Sequence, residues 1–339
     1  MSRLNEKDII RLFSSKLQIR KRIKNEYDDV AHLPLGQIIS TSVSPDTVIV
    51  LKSDMLVQTT DVPPGMRPWQ IARKSIVACV SDMSAKGIEP PYLCLISLGI
   101  PSNYPKAMIV DLVRGFKTAT KEFGVKIVGG DTNRSNELVI SCNLAAFSTG
   151  HCPIPKRNGA KPGHLVISSG VFGFSSSGLK ILLEKASARG RFRYTAIKSV
   201  LNPQPRQKFG TCMVKFLSSS IDSSDGLAAS VYELANQSHV DIILDNIPTA
   251  KGLQRFAKEN GLVVDDLIYY GGEEYEIIAT VSKTNLEEVR RLAKKLKLKV
   301  YVIGRVEKGK GRVSVLNSSG MQLRLREGGY THEFATTRS

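Results

Sequence analysis

Short runs rich in β-branched residues alternate with longer segments of helical periodicity along most of the chain. The runs at 125–130 (VKIVGG) and 299–306 (KVYVIGRV) have the composition of β-strands. Segments 68–87 and 284–296 instead place their apolar residues on one side of a helix. This alternation predicts an α/β (α+β) protein with mixed sheets. A length of 339 residues exceeds what one hydrophobic core usually organises, so two domains are expected.

The pattern of elements is interrupted once, at residues 151–164. The stretch HCPIPKRNGAKPGH is rich in proline and glycine and reads as a connector. The order of strands and helices on its two sides is broadly alike. The sequence therefore predicts an N-terminal domain over 1–150 and a C-terminal α/β domain over 151–339.

The five cysteines form no CxxC pair, and the five histidines have no metal-ligand spacing. Carboxylates are then the candidate metal ligands, and hard oxygen ligands favour magnesium. No window approaches the roughly 18–20 unbroken apolar residues of a membrane span. The N-terminal segment mixes charges into an amphipathic pattern and is not a secretory signal, so we expect a cytoplasmic protein without a membrane partner.

The formal charge of +17 is compatible with nucleic-acid binding, with attraction of polyanionic small substrates such as nucleotides, or with solubility alone. No zinc-finger or RNP-type signature accompanies the basic residues. Nucleic acid is therefore not the expected partner.

Acidic residues recur after apolar runs. Asp54, Asp131 and Asp222 each follow a predicted strand, where α/β proteins place their ligands, and Asp82 lies inside an apolar helix. Each alone is equally compatible with an ordinary turn or helix cap. Together, converging carboxylates would repel one another unless cations neutralised them, and magnesium would in turn bind phosphate oxygens. Gly129 and Gly130 would let the backbone approach a phosphate chain.

The residues alone thus predict a magnesium-dependent enzyme that uses a nucleotide. The sequence has neither a GxxxxGK[ST] P-loop nor the protein-kinase motif set, so it belongs to neither of these phosphoryl-transfer designs.

Six motifs occur in a fixed order: SDMLV, SDMSAKG, VGGDTN, KRNGAKPGH, DSSDGL and GGEEYE. In this order and at these intervals the chain closely resembles the thiamine-monophosphate kinase family. That family belongs to a superfamily of ATP-using proteins with aminoimidazole ribonucleotide synthetase, selenophosphate synthetase and a hydrogenase-maturation protein. The resemblance covers roughly residues 25–335, and six ordered motifs are far more specific than one.

The resemblance implies two aminoimidazole ribonucleotide synthetase-like domains and a homodimer whose N-terminal domains pair their sheets. ATP would be held in a cleft beside the N-terminal half. The implied reaction is direct in-line transfer of the γ-phosphoryl group of ATP to thiamine monophosphate, which gives thiamine diphosphate.

The resemblance also assigns site residues by motif. The implied magnesium ligands are Asp29, Ser53, Asp54, Asp82, Asp131, Asp222 and Asp225. The implied ATP-binding residues are Gly130, Asp131, Arg157 and Ser224, and the implied catalytic residues are Asp131, Asp222 and Arg157. For Arg157 the simpler reading is a solvated loop arginine, and for Ser53 and Ser224 it is ordinary turn hydrogen bonding.

The chain departs from the family pattern in three places. The leading Gly-Asp-Asp motif lacks its glycine in YDDVAH, so Asp29 is favoured as its metal ligand and Asp46 competes with it. Asp61 stands at the substrate-facing position where the family has a histidine. The aromatic residue near the C-terminus is missing, and Tyr330 is the nearest candidate. Glu273 would lie on the thiamine side.

Two alternatives remain. One is a related ATP-dependent enzyme of the superfamily that acts on another small phosphorylated substrate. Relatives that use cysteine carry it near a glycine-rich N-terminus or at the extreme C-terminus, and this chain begins MSRLNEKD and ends ATTRS, which favours the kinase. The other is a non-catalytic nucleotide-binding or nucleic-acid-binding protein.

Overall fold

The computed structural model describes residues 4–5, 31–34, 46–148, 153–317, 319–331 and 333–334. Its strands form two mixed sheets, one on each side of residues 149–152, together with a short two-stranded pairing of β1 (Leu4–Asn5) with β14 (Glu333–Phe334). Helices pack against both sheets, so the predicted α/β (α+β) class is confirmed. Within the described residues, no helix is both long enough and apolar enough to cross a membrane.

The N-terminal sheet has five strands in the order β2-β3-β6-β4-β5. Only the β4–β5 pair is parallel. The strands are β2 (Ala31–Pro34), β3 (Val48–Val57), β4 (Tyr92–Pro101), β5 (Val125–Ser135) and β6 (Val139–Ser148). The helices of this half are α1 (Gln58–Asp61), α2 (Pro68–Ala85) and α3 (Lys106–Phe123). Alternate strand residues such as Val50, Ile140 and Cys142 form a core with α2 and α3.

The other face of this sheet is the one turned away from α2 and α3. Because side chains alternate between the two faces of a strand, the residues between the core positions point away from the helices. Several of them are large, apolar and exposed: Leu51, Met55, Leu93, Leu95 and Phe147. We call this surface the open face.

The C-terminal sheet has seven strands in the order β13-β12-β9-β11-β7-β10-β8. Its strands are β7 (Leu165–Ser168), β8 (Leu217–Asp222), β9 (Val240–Leu244), β10 (Ile277–Val281), β11 (Tyr301–Lys308), β12 (Val313–Leu316) and β13 (Gln322–Arg324). Its helices are α4 (Phe174–Leu183), α5 (Gly190–Leu201), α6 (Gln207–Met213), α7 (Leu227–Ser238), α8 (Leu253–Asn260), α9 (Val264–Tyr269) and α10 (Lys283–Leu296).

Helix α2 joins the two halves, because its C-terminal part packs against α6 and β8. Gly210 of α6 lies so close to α2 that a β-carbon there would be 1.7 Å from the carbonyl oxygen of Ser84. The buried Lys86, just after α2, donates to the carbonyl oxygen of Ser220 at 2.8 Å. These contacts bring the Asp82 end of α2 to the carboxyl end of β8, where Asp222 lies.

Three details differ from the sequence reading. Asp131 lies inside β5 rather than after it, because pairing with β4 extends that strand to Ser135, and Asp54 likewise lies within β3. The glycine- and serine-rich segment 171–178 (VFGFSSSG) predicts a turn, but in the structure α4 begins within it at Phe174, and its three serines are buried. Helices α5, α6 and α9 had no predicted counterpart. The sequence also predicts a helix over 5–24 and a strand at 38–43; apart from Asn5 in β1, both segments lie outside the described residues.

Candidate active site

A lysine and two aspartates meet on the helix-facing side of the N-terminal sheet. Lys52 and Asp54 are two residues apart in β3, so their side chains point to the same face. The Lys52 Nζ atom lies 3.3 Å from Asp54 Oδ1 and 2.7 Å from Asp82 Oδ2 on α2. Burial lowers the pKa of Lys52, but the Asp82 and Asp54 carboxylates outweigh it and hold that pKa well above its usual value. Lys52 is therefore a charged ammonium between two carboxylates.

Asp82 needs this cation. The residue is 7% exposed, and burial raises the pKa of its carboxyl. The Lys52 ammonium opposes the rise, whereas the nearby carboxylates of Asp222 and Asp54 add to it. The structure thus brings three predicted metal ligands into one electrostatic group, as expected for carboxylates that require a positive charge.

Asp222 connects this group to the C-terminal half. It is the last residue of β8 and is 4% exposed. The Ser81 hydroxyl, next to Asp82 on α2, donates to Asp222 Oδ2 at 2.6 Å. The Ser230 hydroxyl of α7 donates to the Asp222 carbonyl oxygen at 3.1 Å. The carboxylate is therefore oriented from α2 and lies where the two halves meet.

Further carboxylates surround the buried Tyr275. Burial raises the pKa of its hydroxyl well above the usual value, and the negative charges of Glu273, Asp54, Asp222 and Asp225 add to this in that order. Tyr275 thus marks the point toward which four acidic residues from both halves converge.

Backbone hydrogen bonds hold the loops that carry these acids. The Glu273 N–H donates to the Ser224 carbonyl oxygen at 2.6 Å, and the Tyr275 N–H donates to that of Ser223 at 2.9 Å. The Tyr330 N–H donates to the Asp225 carbonyl oxygen at 2.9 Å. The DSSDGL and GGEEYE motifs and the C-terminal segment with Tyr330 therefore form one edge of the site.

A small cleft of about 90 Å³ opens beside this edge, lined by Asp54, Met55, Leu56, Asp61, Lys74, Ser75, Ala78, Glu273 and Tyr275. The buried Lys74 ammonium donates to Glu273 Oε1 and, at 2.7 Å, to the Asp61 carbonyl oxygen. The Asp61 carboxylate turns back to accept from the Val57 N–H at 2.7 Å. Two predicted substrate residues, Asp61 and Glu273, therefore share one cleft.

The loop ahead of β10 carries two further acids. Glu274 Oε1 accepts from the N–H groups of Gly173 at 2.7 Å and Ser175 at 3.2 Å, at the start of α4. Burial raises the pKa of the Glu274 carboxyl to about 8 despite these two hydrogen bonds. Glu276 is buried in an ion pair with Arg206. These contacts fix the loop that presents Glu273.

Asp131 lies elsewhere. Within β5 it pairs with Ser97 of β4, and it is exposed on the open face, where Asn133 Nδ2 donates to Asp131 Oδ2 at 3.0 Å. Its neighbour Gly130 shares a cross-sheet row with Asp54, three strands away, or about 14 Å. In a single chain, Asp131 and Asp54 therefore lie far apart and on opposite faces of the sheet.

A larger cavity of about 400 Å³ lies beside the two glycines of β5, lined by Ile96, Leu98, Phe116, Ile127, Gly129, Gly130, Asp131 and Thr132. A β-carbon on Gly130 would be 1.7 Å from the Ile96 carbonyl oxygen, so only glycine fits between the strands there. The VGGD motif thus lines this cavity.

The remaining predicted residues are spread around these features. Ser53 faces the open face, and its hydroxyl donates to Asn143 Oδ1 at 2.7 Å. Arg157 lies 3.7 Å from Glu233 of α7 in an ion pair. Asp46 is exposed in the turn before β3, and Asp29 lies outside the described residues.

The structure thus groups Asp54, Asp82, Asp222 and Asp225 near one point and leaves Ser53 and Asp131 on the other face. Among the described residues, no three His, Cys, Asp or Glu side chains are arranged to hold a metal ion by themselves. The donor atoms are carboxylate oxygens, which suit magnesium, but Lys52 occupies the space between Asp54 and Asp82.

Two site residues escaped the sequence analysis, Lys52 and Lys74. Each carries a periodicity signal. Lys52 is two positions before Asp54 in a strand, and Lys74, Ala78 and Asp82 are spaced by four along α2. Residues at these spacings share a strand face or a helix stripe with the predicted metal ligands.

Comparison with known proteins places the chain. Residues 27–150 match the model for the AIR synthase related protein, N-terminal domain, and residues 161–317 match that for its C-terminal domain. The thiamine-monophosphate kinase of Nitrosopumilus maritimus is 38% identical over 332 residues, which is 98% of this chain and 99% of that protein. The thiamine-monophosphate kinase of Pyrococcus horikoshii is 31% identical, with 92% of this chain and 91% of that protein covered.

Solved structures agree. A structure described as AaThiL complexed with AMPPCP and TMP has a TM-score of 0.82 and 27% identity, and covers 98% of this chain and 99% of its own. The thiamine monophosphate kinase of Aquifex aeolicus gives a TM-score of 0.76 at 26% identity, with 93% and 97% covered. The chain therefore belongs to the AIR synthase related family, in which these similar proteins are thiamine-monophosphate kinases.

Proposed function

We propose that this chain transfers the γ-phosphoryl group of ATP to thiamine monophosphate and forms thiamine diphosphate and ADP. The observation that carries the proposal is the 38% identity, over 98% of the chain, with a thiamine-monophosphate kinase. A structural neighbour solved with AMPPCP and TMP covers the same length and supports binding of both substrates.

The acidic group between the two halves would hold magnesium. Asp54, Asp222 and Asp225 supply carboxylate oxygens near Tyr275, and Asp82 lies near Asp54 and Asp222. The Ser81 hydroxyl orients Asp222. Bound magnesium would offset the charge of the phosphate oxygens. The implied roles of Asp29 and Ser53 as further ligands stay proposals.

ATP would bind beside β5. Gly130 and Asp131 line the 400 Å³ cavity, where the missing side chain of glycine lets the backbone approach phosphate oxygens. Arg157 and Ser224 are the proposed phosphate contacts. Asp131, Asp222 and Arg157 are the proposed catalytic residues, and their work would be to hold charge and geometry, since phosphoryl transfer asks little covalent chemistry of the protein.

The acceptor would enter from the cleft of Asp61 and Glu273, with Tyr330 at its edge. The group that accepts the phosphoryl is the phosphate of thiamine monophosphate. Because this phosphate is already anionic, the reaction requires no general base. What the chain must supply is in-line alignment of the acceptor oxygen with the γ-phosphorus atom.

A homodimer is part of the proposal. The open face exposes Leu51, Met55, Leu95 and Phe147, with Met55 65% exposed, and contiguous apolar surface of this kind marks an interaction site. Pairing two open faces would bury these side chains and enclose Asp131. A cytoplasmic location and a domain boundary near residue 150 remain proposals.

An acceptor panel tests the function. The protein is incubated with magnesium and ATP plus thiamine monophosphate, thiamine, or other phosphorylated vitamins, and the products are identified by mass spectrometry. We expect thiamine diphosphate as the dominant new product. Turnover with every acceptor except thiamine monophosphate would instead support a related enzyme of the same superfamily, which the departures at Asp61 and Tyr330 make the relevant alternative.

A further inference from the structure

Lys52 stands where a metal ion would be expected. Its ammonium contacts Asp82 at 2.7 Å and Asp54 at 3.3 Å, and both carboxylates are proposed magnesium ligands. The Lys52 side chain is 16% exposed, and those of Asp54 and Asp82 are 32% and 10% exposed. These three side chains are therefore largely enclosed, and solvent screens their charges only weakly.

The charges explain why a cation belongs at this position. Asp54 and Asp82 carry two negative charges at short range, and Asp222 adds a third nearby. Without a cation, these carboxylates would repel one another at short range in a largely enclosed site. The single charge of Lys52 offsets part of this repulsion, and it is supplied by the chain itself.

We propose that Lys52 is a resident cation that takes the place of one divalent ion between Asp54 and Asp82. This inference rests on the proposed function, since that function makes the two aspartates metal ligands. The chain then binds one divalent ion fewer than it would if residue 52 were neutral. The remaining magnesium would be held by the other carboxylates and by the phosphates of the substrates.

The test counts bound metal. Mn²⁺ binding to the purified full chain is measured by electron paramagnetic resonance, for the wild type, for Lys52→Met and for a control, Lys180→Met. Lys180 forms an exposed pair with Glu184 in α4, away from the site. We expect one additional Mn²⁺ per chain in Lys52→Met and no change in Lys180→Met. An unchanged Mn²⁺ count in Lys52→Met overturns the proposal.

Thermal unfolding gives a second readout that needs no activity. Breaking a largely buried pair should lower the Tm of metal-free Lys52→Met by roughly 5–10 °C. Mg²⁺ should restore most of this loss, so that its effect on Tm is larger in the variant than in the wild type. A loss of stability that Mg²⁺ leaves unchanged contradicts the proposal, because it indicates an ordinary structural ion pair.

A double variant covers the case in which Lys52→Met does not fold without metal. Lys52→Met with Asp82→Asn removes one positive and one negative charge, so metal-free stability should return toward that of the wild type and no extra Mn²⁺ should bind. Persistent instability of the double variant would contradict the charge argument. Failure of the proposed function appears separately, as absence of product when the wild type is given ATP and thiamine monophosphate.

Discussion

We predict that the substitution Glu274→Gln stabilises the protein at neutral and alkaline pH. The carboxyl accepts two N–H groups at the start of α4, and its pKa is raised from 4.5 to about 8 because burial disfavours the charged form. In the unfolded chain it ionises near its ordinary pKa. The folded state therefore binds this proton more tightly, and its stability falls as the pH rises from about 4.5 to about 8.

The size of the effect follows from the same values. Between about pH 4.5 and 8, each pH unit lowers the free energy of unfolding by about 1.4 kcal/mol, so the total loss at pH 8 is up to roughly 5 kcal/mol. Glu274 keeps part of its surface in solvent, so we expect a measured cost of about 1–3 kcal/mol. Glutamine preserves an oxygen acceptor for Gly173 and Ser175 and cannot ionise, so the variant should gain this amount at pH 8 and nothing near pH 4.5.

The assay is urea unfolding followed by circular dichroism across this pH range. Glu276→Gln is the matched control, because Glu276 is a buried acid of the same loop that pairs with Arg206 and accepts from the Ser169 hydroxyl. Replacing the Glu276 carboxylate should lower the free energy of unfolding by about 1–3 kcal/mol at neutral pH, because it leaves the hydrogen-bonding groups of Arg206 and Ser169 less well satisfied. A Glu274→Gln variant whose stability runs parallel to that of the wild type from pH 5 to 8, or falls below it at pH 8, would refute the reasoning.

Three further predictions concern the N-terminal half. Asp131→Asn should lower ATP turnover with thiamine monophosphate more than about 100-fold. Because Asp131 is exposed, the unfolding midpoint should stay unchanged, and wild-type turnover would remove it from the site. Gly130→Ala should destabilise the protein by at least about 1–3 kcal/mol, since its β-carbon meets the Ile96 carbonyl at 1.7 Å; an unchanged Tm in differential scanning calorimetry would contradict this. Met55→Glu should convert a dimer to a folded monomer in analytical ultracentrifugation, because a charge would be buried when two open faces pair. A dimer that survives this change would place the interface elsewhere.

The secondary structure was largely predictable, because it depends on local patterns. Helix α2 spans Pro68–Ala85, within the predicted segment 68–87 that opens on a proline and closes on a glycine. Strands β10 and β11 and helix α10 follow from runs of β-branched residues and from one apolar helix stripe. The α/β (α+β) class follows from their order.

The length of β5 was not predictable in the same way. No local sequence signal predicts that β5 continues past Gly130 to Ser135. The extension comes from pairing with β4, in which Pro101 lies opposite Ser135 although the two are distant in sequence. The consequence for the site is direct. Asp54 and Asp131 point to opposite faces, which the alternation of side chains fixes once both lie inside strands.

The contacts of the two lysines depend on packing. Strand and helix spacing could have marked Lys52 and Lys74 as neighbours of the acidic residues. Which carboxylate each ammonium meets is decided by how α2 lies on β3 and how the 271–275 loop folds over it. Pairings between distant segments of this kind are set by tertiary structure and leave no trace in local periodicity.

The most direct measurement of the central claim follows the transferred group itself. ATP radiolabelled in its γ-phosphoryl group is incubated with the protein, magnesium and unlabelled thiamine monophosphate, and the products are separated by chromatography. Direct transfer predicts that the label appears in the terminal phosphate of thiamine diphosphate, in an amount equal to the ADP formed. Label found only as inorganic phosphate, with no labelled thiamine diphosphate, would contradict the account.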